Sequence, residues 1–169
     1  MNTGIYISRK LEKLVPKKFI QESVNATGNL LGTWSANVFY VSHKKCWIIT
    51  NSVTFYTVIL QDIASSEIKN INEIFTYTLL DQLQTDRITI DIMEVQETFG
   101  EVELFTTNND RRTIGVQNSL NVNLDDWKYE FGDFSNWPFR DLNRRINGIP
   151  YKQIGWKNPI EKMKEVLGK

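Results

Sequence analysis

Two polar clusters in the chain combine residue types suited to holding an anion. The first runs Trp34-Ser35-Ala36-Asn37 and is followed, across adjacent turns, by Lys44-Lys45-Cys46 and Asn51. The second is Thr107-Asn108-Asn109-Asp110-Arg111-Arg112, with Gly115 and Asn118 behind it. Arginine makes a forked contact with phosphate or carboxylate, and free N–H groups where a helix begins favour the same charge. The candidate ligand contacts are Asn37, Lys45, Asn51, Asn108 and Arg112. Asn and Thr at strand ends also satisfy backbone groups with no ligand present. One pocket lined by both clusters would favour a ligand, and clusters on opposite faces would remove it.

Other chemistry is sparse. His43 is the only histidine, and it stands three residues before the only cysteine, Cys46. Three residues along a strand span roughly 10 Å, and odd separations point to opposite faces. A solvated turn histidine and a buried thiol are therefore expected, rather than a nucleophilic dyad. One His and one Cys cannot complete a zinc set. Asp125-Asp126 and the acids from Asp81 to Glu103 lack the spacing of a calcium loop and read as solvated faces. Gly28, Gly32 and Gly115 are isolated, so neither a phosphate loop nor a dinucleotide fingerprint is present. No metal and no cofactor is expected.

These residues need elements to position them. Ile5-Tyr6-Ile7 is β-prone, and Ser8 caps a short helix carrying Leu11, Leu14 and Val15 that Pro16 ends. Residues 21–33, with Gly28 and Gly32, read as a loop. Val38-Phe39-Tyr40-Val41, Cys46-Trp47-Ile48-Ile49-Thr50 and residues 53–60 are β-branched and aromatic runs separated by polar turns, which predicts an antiparallel meander. The runs are apolar on both faces, so other elements are expected to cover at least part of the second face. Ile68, Ile71, Ile74, Phe75, Leu79 and Leu83 form a helical stripe over 67–84. Residues 86–99 fit strand or helix, with helix preferred because their acids then share one face. Gly100 breaks this segment, 101–107 reads as a fourth strand, and 113–131 permits a helix interrupted by asparagines. A turn-rich aromatic linker spans 132–138, and a short helix covers 142–146. Asn158 caps a last helix with Pro159 at its first position and Met163, Val166 and Leu167 inward. The expectation is a single α+β domain over 1–169, with an antiparallel sheet of about four strands covered by helices.

The chain has 169 residues, 41% hydrophobic and 12% aromatic, a composition that excludes intrinsic disorder. No apolar run approaches the roughly 20 residues of a membrane helix. The N-terminus lacks the features of a signal peptide, and a lone cysteine fits a reducing cytoplasm. The net charge of zero hides a polarity. Residues 1–20 carry +4 and 138–169 carry +5, whereas 62–103 carry −8.

Taken in order, the motifs resemble the bacterial family of unknown function DUF6933. Ser8-Arg9-Lys10-Leu11 is similar to its Thr-x-Lys-Leu opening, and Trp34-Ser35-Ala36-Asn37 with Lys44-Lys45-Cys46-Trp47-Ile48-Ile49-Thr50-Asn51 and Thr54-Phe55 to the segment after it. Thr107-Asn108 and Arg112-Thr113-Ile114-Gly115-Val116-Gln117-Asn118 resemble its Thr-Asn-x-Arg-Ser-x-Leu-Gly-x-x-Asn pattern. Ile146-Asn147, Pro150, Gly155 and Pro159-Ile160-Glu161 resemble its tail. Thr113 stands where the pattern has Ser, and Asp110-Arg111 lengthen the loop before Arg112. The resemblance implies a small bacterial cytoplasmic protein and supplies no activity.

Poor catalytic equipment and the aromatics Trp127, Phe131, Phe134, Trp137 and Phe139 favour a non-enzymatic binding or protein-interaction module, its partner another protein or a second copy. The alternative is an enzyme or sensor for a small anionic, nucleotide-like ligand held by the two polar clusters. Nucleic-acid binding by the basic ends ranks third.

Overall fold

A computed structural model of the protein describes residues 2–22 and 31–169. Gly28 and most of the expected 21–33 loop lie outside the described residues.

Strand β1 (Thr3–Ile7) is buried along its whole length, as a strand flanked on both sides and covered on both faces must be. The Ser8 Oγ accepts the Leu11 N–H at 3.1 Å and starts α1 (Arg9–Glu12). A two-residue strand, β2 (Ile20–Gln21), follows, and then the meander of β3 (Trp34–Val41), β4 (Lys44–Asn51) and β5 (Thr57–Leu60). The apolar stripe becomes a 3₁₀ turn (Ser65–Asn70) and helix α2 (Ile71–Thr85). The ambiguous stretch resolves at Asp91. Its side chain caps α3 (Ile92–Phe99) in a capping box with Glu94, while Ile88 and Ile90 bury themselves before the helix. Strand β6 (Val102–Thr106) leads to α4 (Arg111–Phe131), which runs through its asparagines unbroken. Helices α5 (Phe139–Asn147) and α6 (Pro159–Leu167) complete the chain, the latter capped by Asn158.

The sheet order is β2-β6-β1-β3-β4-β5. The meander is antiparallel as expected, but β1 lies parallel to both β3 and β6, and β2 parallel to β6. The expected antiparallel sheet of about four strands is thus corrected to a mixed sheet with six strands among the described residues. Its centre is the short run Ile5-Tyr6-Ile7, whose partners are distant in the chain. The third meander run also shortens. Asn51 Oδ1 accepts the Val53 and Thr54 N–H groups, folding residues 52–56 into a turn with Phe55 at φ +59°. Gly32 approaches that turn at φ +65°, and a Cβ there would sit 2.7 Å from Ser52 Oγ.

Strand alternation divides two cores. Trp34, Ala36, Val38, Trp47 and Ile49 pack with α1, α2, α3 and Met163 of α6. Phe39, Val41, Cys46 and Ile48 pack with Val116, Leu120 and Leu124 of α4 and Leu142 and Ile146 of α5. Helices therefore pack on both sheet faces, in line with the cover of the second face expected from the doubly apolar runs. Trp137 and Phe139 are buried in this second core, with Trp127, Phe131 and Phe134 packed against it. The aromatic cluster that suggested an interface is internal packing.

At the sheet edge, α5 substitutes for a missing strand. Asn143 Oδ1 accepts the Ile59 N–H at 3.0 Å, Asn147 Oδ1 accepts the Thr57 N–H at 2.8 Å, and both side chains donate to the Thr57 carbonyl. An exposed edge is thereby closed by side chains. Part of the basic C-terminal segment pairs with the acidic helices: Arg140 Nε meets Asp81 at 2.8 Å, and Lys169 Nζ meets Glu94 at 2.6 Å. Among the described residues no helix is long and apolar enough to cross a membrane.

Candidate functional site

Two adjacent parallel strands, β1 and β6, send their following helices to opposite sheet faces. Leu11 of α1 enters the first core, and Val116 and Leu120 of α4 enter the second. Such divergence leaves a crevice at the carboxyl ends of the strands, where ligands settle in sheets with parallel strands. Here it is a pocket of about 180 Å³. Tyr6, Ser8 and Arg9 wall it from β1 and α1, Ser35 and Asn37 from β3, Thr107 and Asn109 from the end of β6, and Ile114 and Gln117 from α4.

Its polar atoms include both donors and acceptors. Asn37 Oδ1 is occupied, accepting Ser8 Oγ at 2.9 Å and its neighbour's N–H, Val38, at 2.8 Å, which leaves Nδ2 to face outward demand. Thr107 Oγ1 accepts the Asn109 N–H at 3.1 Å and retains its own proton. Gln117 is 3% exposed, and its Nε2 bridges the Ser35 and Ile48 carbonyls at 2.7 and 3.2 Å. That bond fixes α4 across β3 and β4. Arg9 is the one cation in the lining, no carboxylate joins it, and Arg9 forms no ion pair among the described residues. A second depression of about 250 Å³ shares Asn37 and is lined by Lys10, Tyr40, Asn121, Asp125 and Lys128. The Lys10 ammonium lies 5.6 Å from the Tyr40 ring centre, a cation–π distance.

The two polar clusters thus meet, though through partly different residues from those expected. Asn37 lines the crevice, and Asn108 sits between the lining residues Thr107 and Asn109 with its Oδ1 accepting the Asp110 N–H. The other three are elsewhere. Lys45 shares strand parity with Trp47 and Ile49, so it lies on the sheet face opposite Asn37. Asn51 is fully buried, its Oδ1 taken by the 52–54 turn and its Nδ2 by the Leu31 carbonyl at 2.7 Å. Arg112 donates to the Gln153 carbonyl at 2.9 Å and lies 4.8 Å over the Phe55 ring. The start of α4 offers no free anion cradle beside it, because Asp110 Oδ1 already accepts the Arg112 and Thr113 N–H groups. Ser8, Arg9 and Gln117 escaped residue-by-residue reading. The first two lie in the family-like opening and Gln117 in the family-like central pattern, which was the available signal.

Elsewhere, ionisable groups are committed to packing. His43 occupies the exposed β3–β4 turn at φ +65°. Burial pushes the Cys46 thiol up to about 11, so it stays protonated and unreactive. Asp86, at the end of α2, is buried and accepts Tyr56 Oη at 2.5 Å, Gln82 Nε2 at 3.2 Å and Asn147 Nδ2 at 3.3 Å. Desolvation raises its pKa, and the three donors oppose that shift. The Tyr56 hydroxyl rises well above its ordinary range, through burial and the adjacent carboxylate.

Comparison with known proteins gives kinship without an activity. No curated protein and no solved structure matches the chain at a significant level. A family model does match, over residues 4–162, and on that match the chain belongs to DUF6933, a domain of unknown function.

Proposed function

We propose that the protein is a non-enzymatic binding module that takes a small anionic, nucleotide-like ligand in the crevice at the carboxyl ends of β1 and β6. The observation that carries this reading is the crevice lining: both polar clusters meet there around Arg9, which is unpaired, with no carboxylate among the described residues. Segments 8–11, 34–37 and 107–118, which carry the family resemblance, supply most of its walls. The adjoining depression shares Asn37 and adds Lys10 and the Tyr40 ring for a longer ligand, while its Lys128 is paired with Asp125 at 3.5 Å. Binding rather than turnover is favoured because the thiol is buried and the Asp86–Tyr56 pair is enclosed by its own partners.

The test is a thermal-shift screen of nucleotides, sugar phosphates and inorganic phosphate. A ligand at a hundred times its dissociation constant stabilises by about 2.7 kcal/mol, which moves the midpoint of a chain this size by about 5–10 °C. Arg9→Gln should weaken the strongest hit about tenfold, the equivalent of about 1.4 kcal/mol. A panel with no hit, or a hit indifferent to Arg9→Gln and Asn37→Ala, overturns the reading.

A second reading, recognition of a protein partner or a second copy, is favoured by Trp156. This bulky residue is 67% exposed at φ +61°, a strained conformation for a displayed side chain. Light scattering across a concentration series, with Trp156→Ala as the control, tests self-association. A strict monomer removes the second-copy form.

A further inference from the structure

We infer a second binding site, for an organic cation carrying an alkylammonium or guanidinium group, at the opposite ends of the same two strands. Before β1 and β6 begin, α2 and α3 flank an open pocket of about 550 Å³, within the size range of small-molecule sites. Its charge is the inverse of the crevice: Glu73 and Glu101 line it and, among the described residues, no cation does. Neither carboxylate is in an ion pair among the described residues, although acids on the neighbouring surface, Asp81 and Glu94, are paired.

The walls are fixed by bonds that use only part of each polar side chain. Asn72 Oδ1 accepts the Val102 N–H at 2.8 Å, tying α2 to β6 and leaving Asn72 Nδ2 uncommitted. Thr76 is 7% exposed and lines the pocket, yet its hydroxyl makes no hydrogen bond among the described residues. Thr85 on the same helix shows the usual alternative, donating to the carbonyl one turn back at 2.8 Å. A hydroxyl held off its own helix and reachable from the pocket keeps its lone pairs, as well as its proton, for a ligand. Glu73 and Tyr77 are one helical turn apart, so a carboxylate and an exposed ring flank the same opening. Carboxylates, a hydroxyl acceptor and an aromatic face together recognise an ammonium or guanidinium group. A metal ion fits less well, because no three carboxylate, His or Cys side chains converge among the described residues.

The test is calorimetry on the full chain at low salt with putrescine, spermidine and arginine, set against Mg²⁺ and Ca²⁺. Saturable binding of the organic cations is expected, with Glu73→Gln and Glu101→Gln each weakening it about three- to tenfold. Thr76→Val, uncharged and nearly isosteric, should weaken it as well. Arg9→Gln should leave it intact, which separates this site from the crevice. A peptide with one lysine is the second arm: tighter binding than the diamine assigns the site to a protein side chain, weaker binding to a free amine, and either carries the inference. Absence of cation binding, preference for the divalent ions, or indifference to Thr76→Val overturns it.

Discussion

Replacing Asn147 by Ala tests how the sheet edge is closed. Asn147 is 0% exposed, accepts the Thr57 N–H at 2.8 Å, and donates to the Thr57 carbonyl at 2.9 Å and to Asp86 at 3.3 Å. Truncation leaves the Thr57 N–H buried and unpaired, at a cost of about 1–3 kcal/mol. Asp86 keeps Tyr56 and Gln82 but loses its third donor, which adds about 1 kcal/mol. The Thr57 carbonyl keeps Asn143 at 2.6 Å and adds nothing. The total is about 3 kcal/mol, or a midpoint lower by about 10 °C, read by urea and thermal unfolding with tryptophan fluorescence. Asn143→Ala alone orphans the Ile59 N–H, with the shared carbonyl still satisfied by Asn147. Only the double variant strips both donors from Thr57 O. Its cost should therefore exceed the sum of the single costs by about 1 kcal/mol. Additive costs, or an Asn147→Ala cost below about 1 kcal/mol, would refute the claim that this pair stands in for a strand.

The remaining predictions concern protonation and the residues the crevice does not use. Because the folded-state pKa of Asp86 is raised, its contribution is fullest below the unfolded value near 3.8 and is lost as pH rises through the folded value. The stability advantage of the native protein over Asp86→Asn should therefore shrink from pH 4 upward in urea titrations, and an advantage growing with pH contradicts the buried-carboxylate account. Cys46, with its thiol at about 11, should resist iodoacetamide at pH 8 until the chain is unfolded. Rapid native labelling would show that the second core is open. Arg112→Lys should cost about 1 kcal/mol by losing its stacking on Phe55 and the bond to Gln153, while anion affinity stays unchanged. A large affinity loss would return Arg112 to the site.

The sequence revealed elements better than it revealed their pairing. Apolar runs on both faces of the meander announced two cores, because burial on each side leaves its mark residue by residue. The helix starts at Ser8 and Asn158 were legible as capping chemistry, whereas the Asp91 cap inside the ambiguous 86–99 stretch was not read. The central place of β1 was not, since Ile5-Tyr6-Ile7 looks alike at an edge or a centre and its partners are set by topology. The site shows the same limit. Asn51 and Arg112 have the right chemistry, but the 52–56 turn and the Gln153 loop claim their polar atoms first. Gln117 had no residue-level signal, because only the crossing of α4 over β3 brings it to the crevice. The charge polarity took on a spatial meaning: the crevice with Arg9 and the pocket with Glu73 and Glu101 lie at opposite ends of β1 and β6.

The most direct measurement is amide chemical-shift mapping of the labelled protein with the strongest anion from the screen. The account predicts saturable shifts concentrated at Ser8, Arg9, Asn37, Thr107, Asn109 and Gln117, abolished together in Arg9→Gln while the spectrum remains folded. Shifts centred on Arg112 and Lys45, shifts scattered over surface lysines, or a spectrum unmoved by any anion of the panel would contradict it.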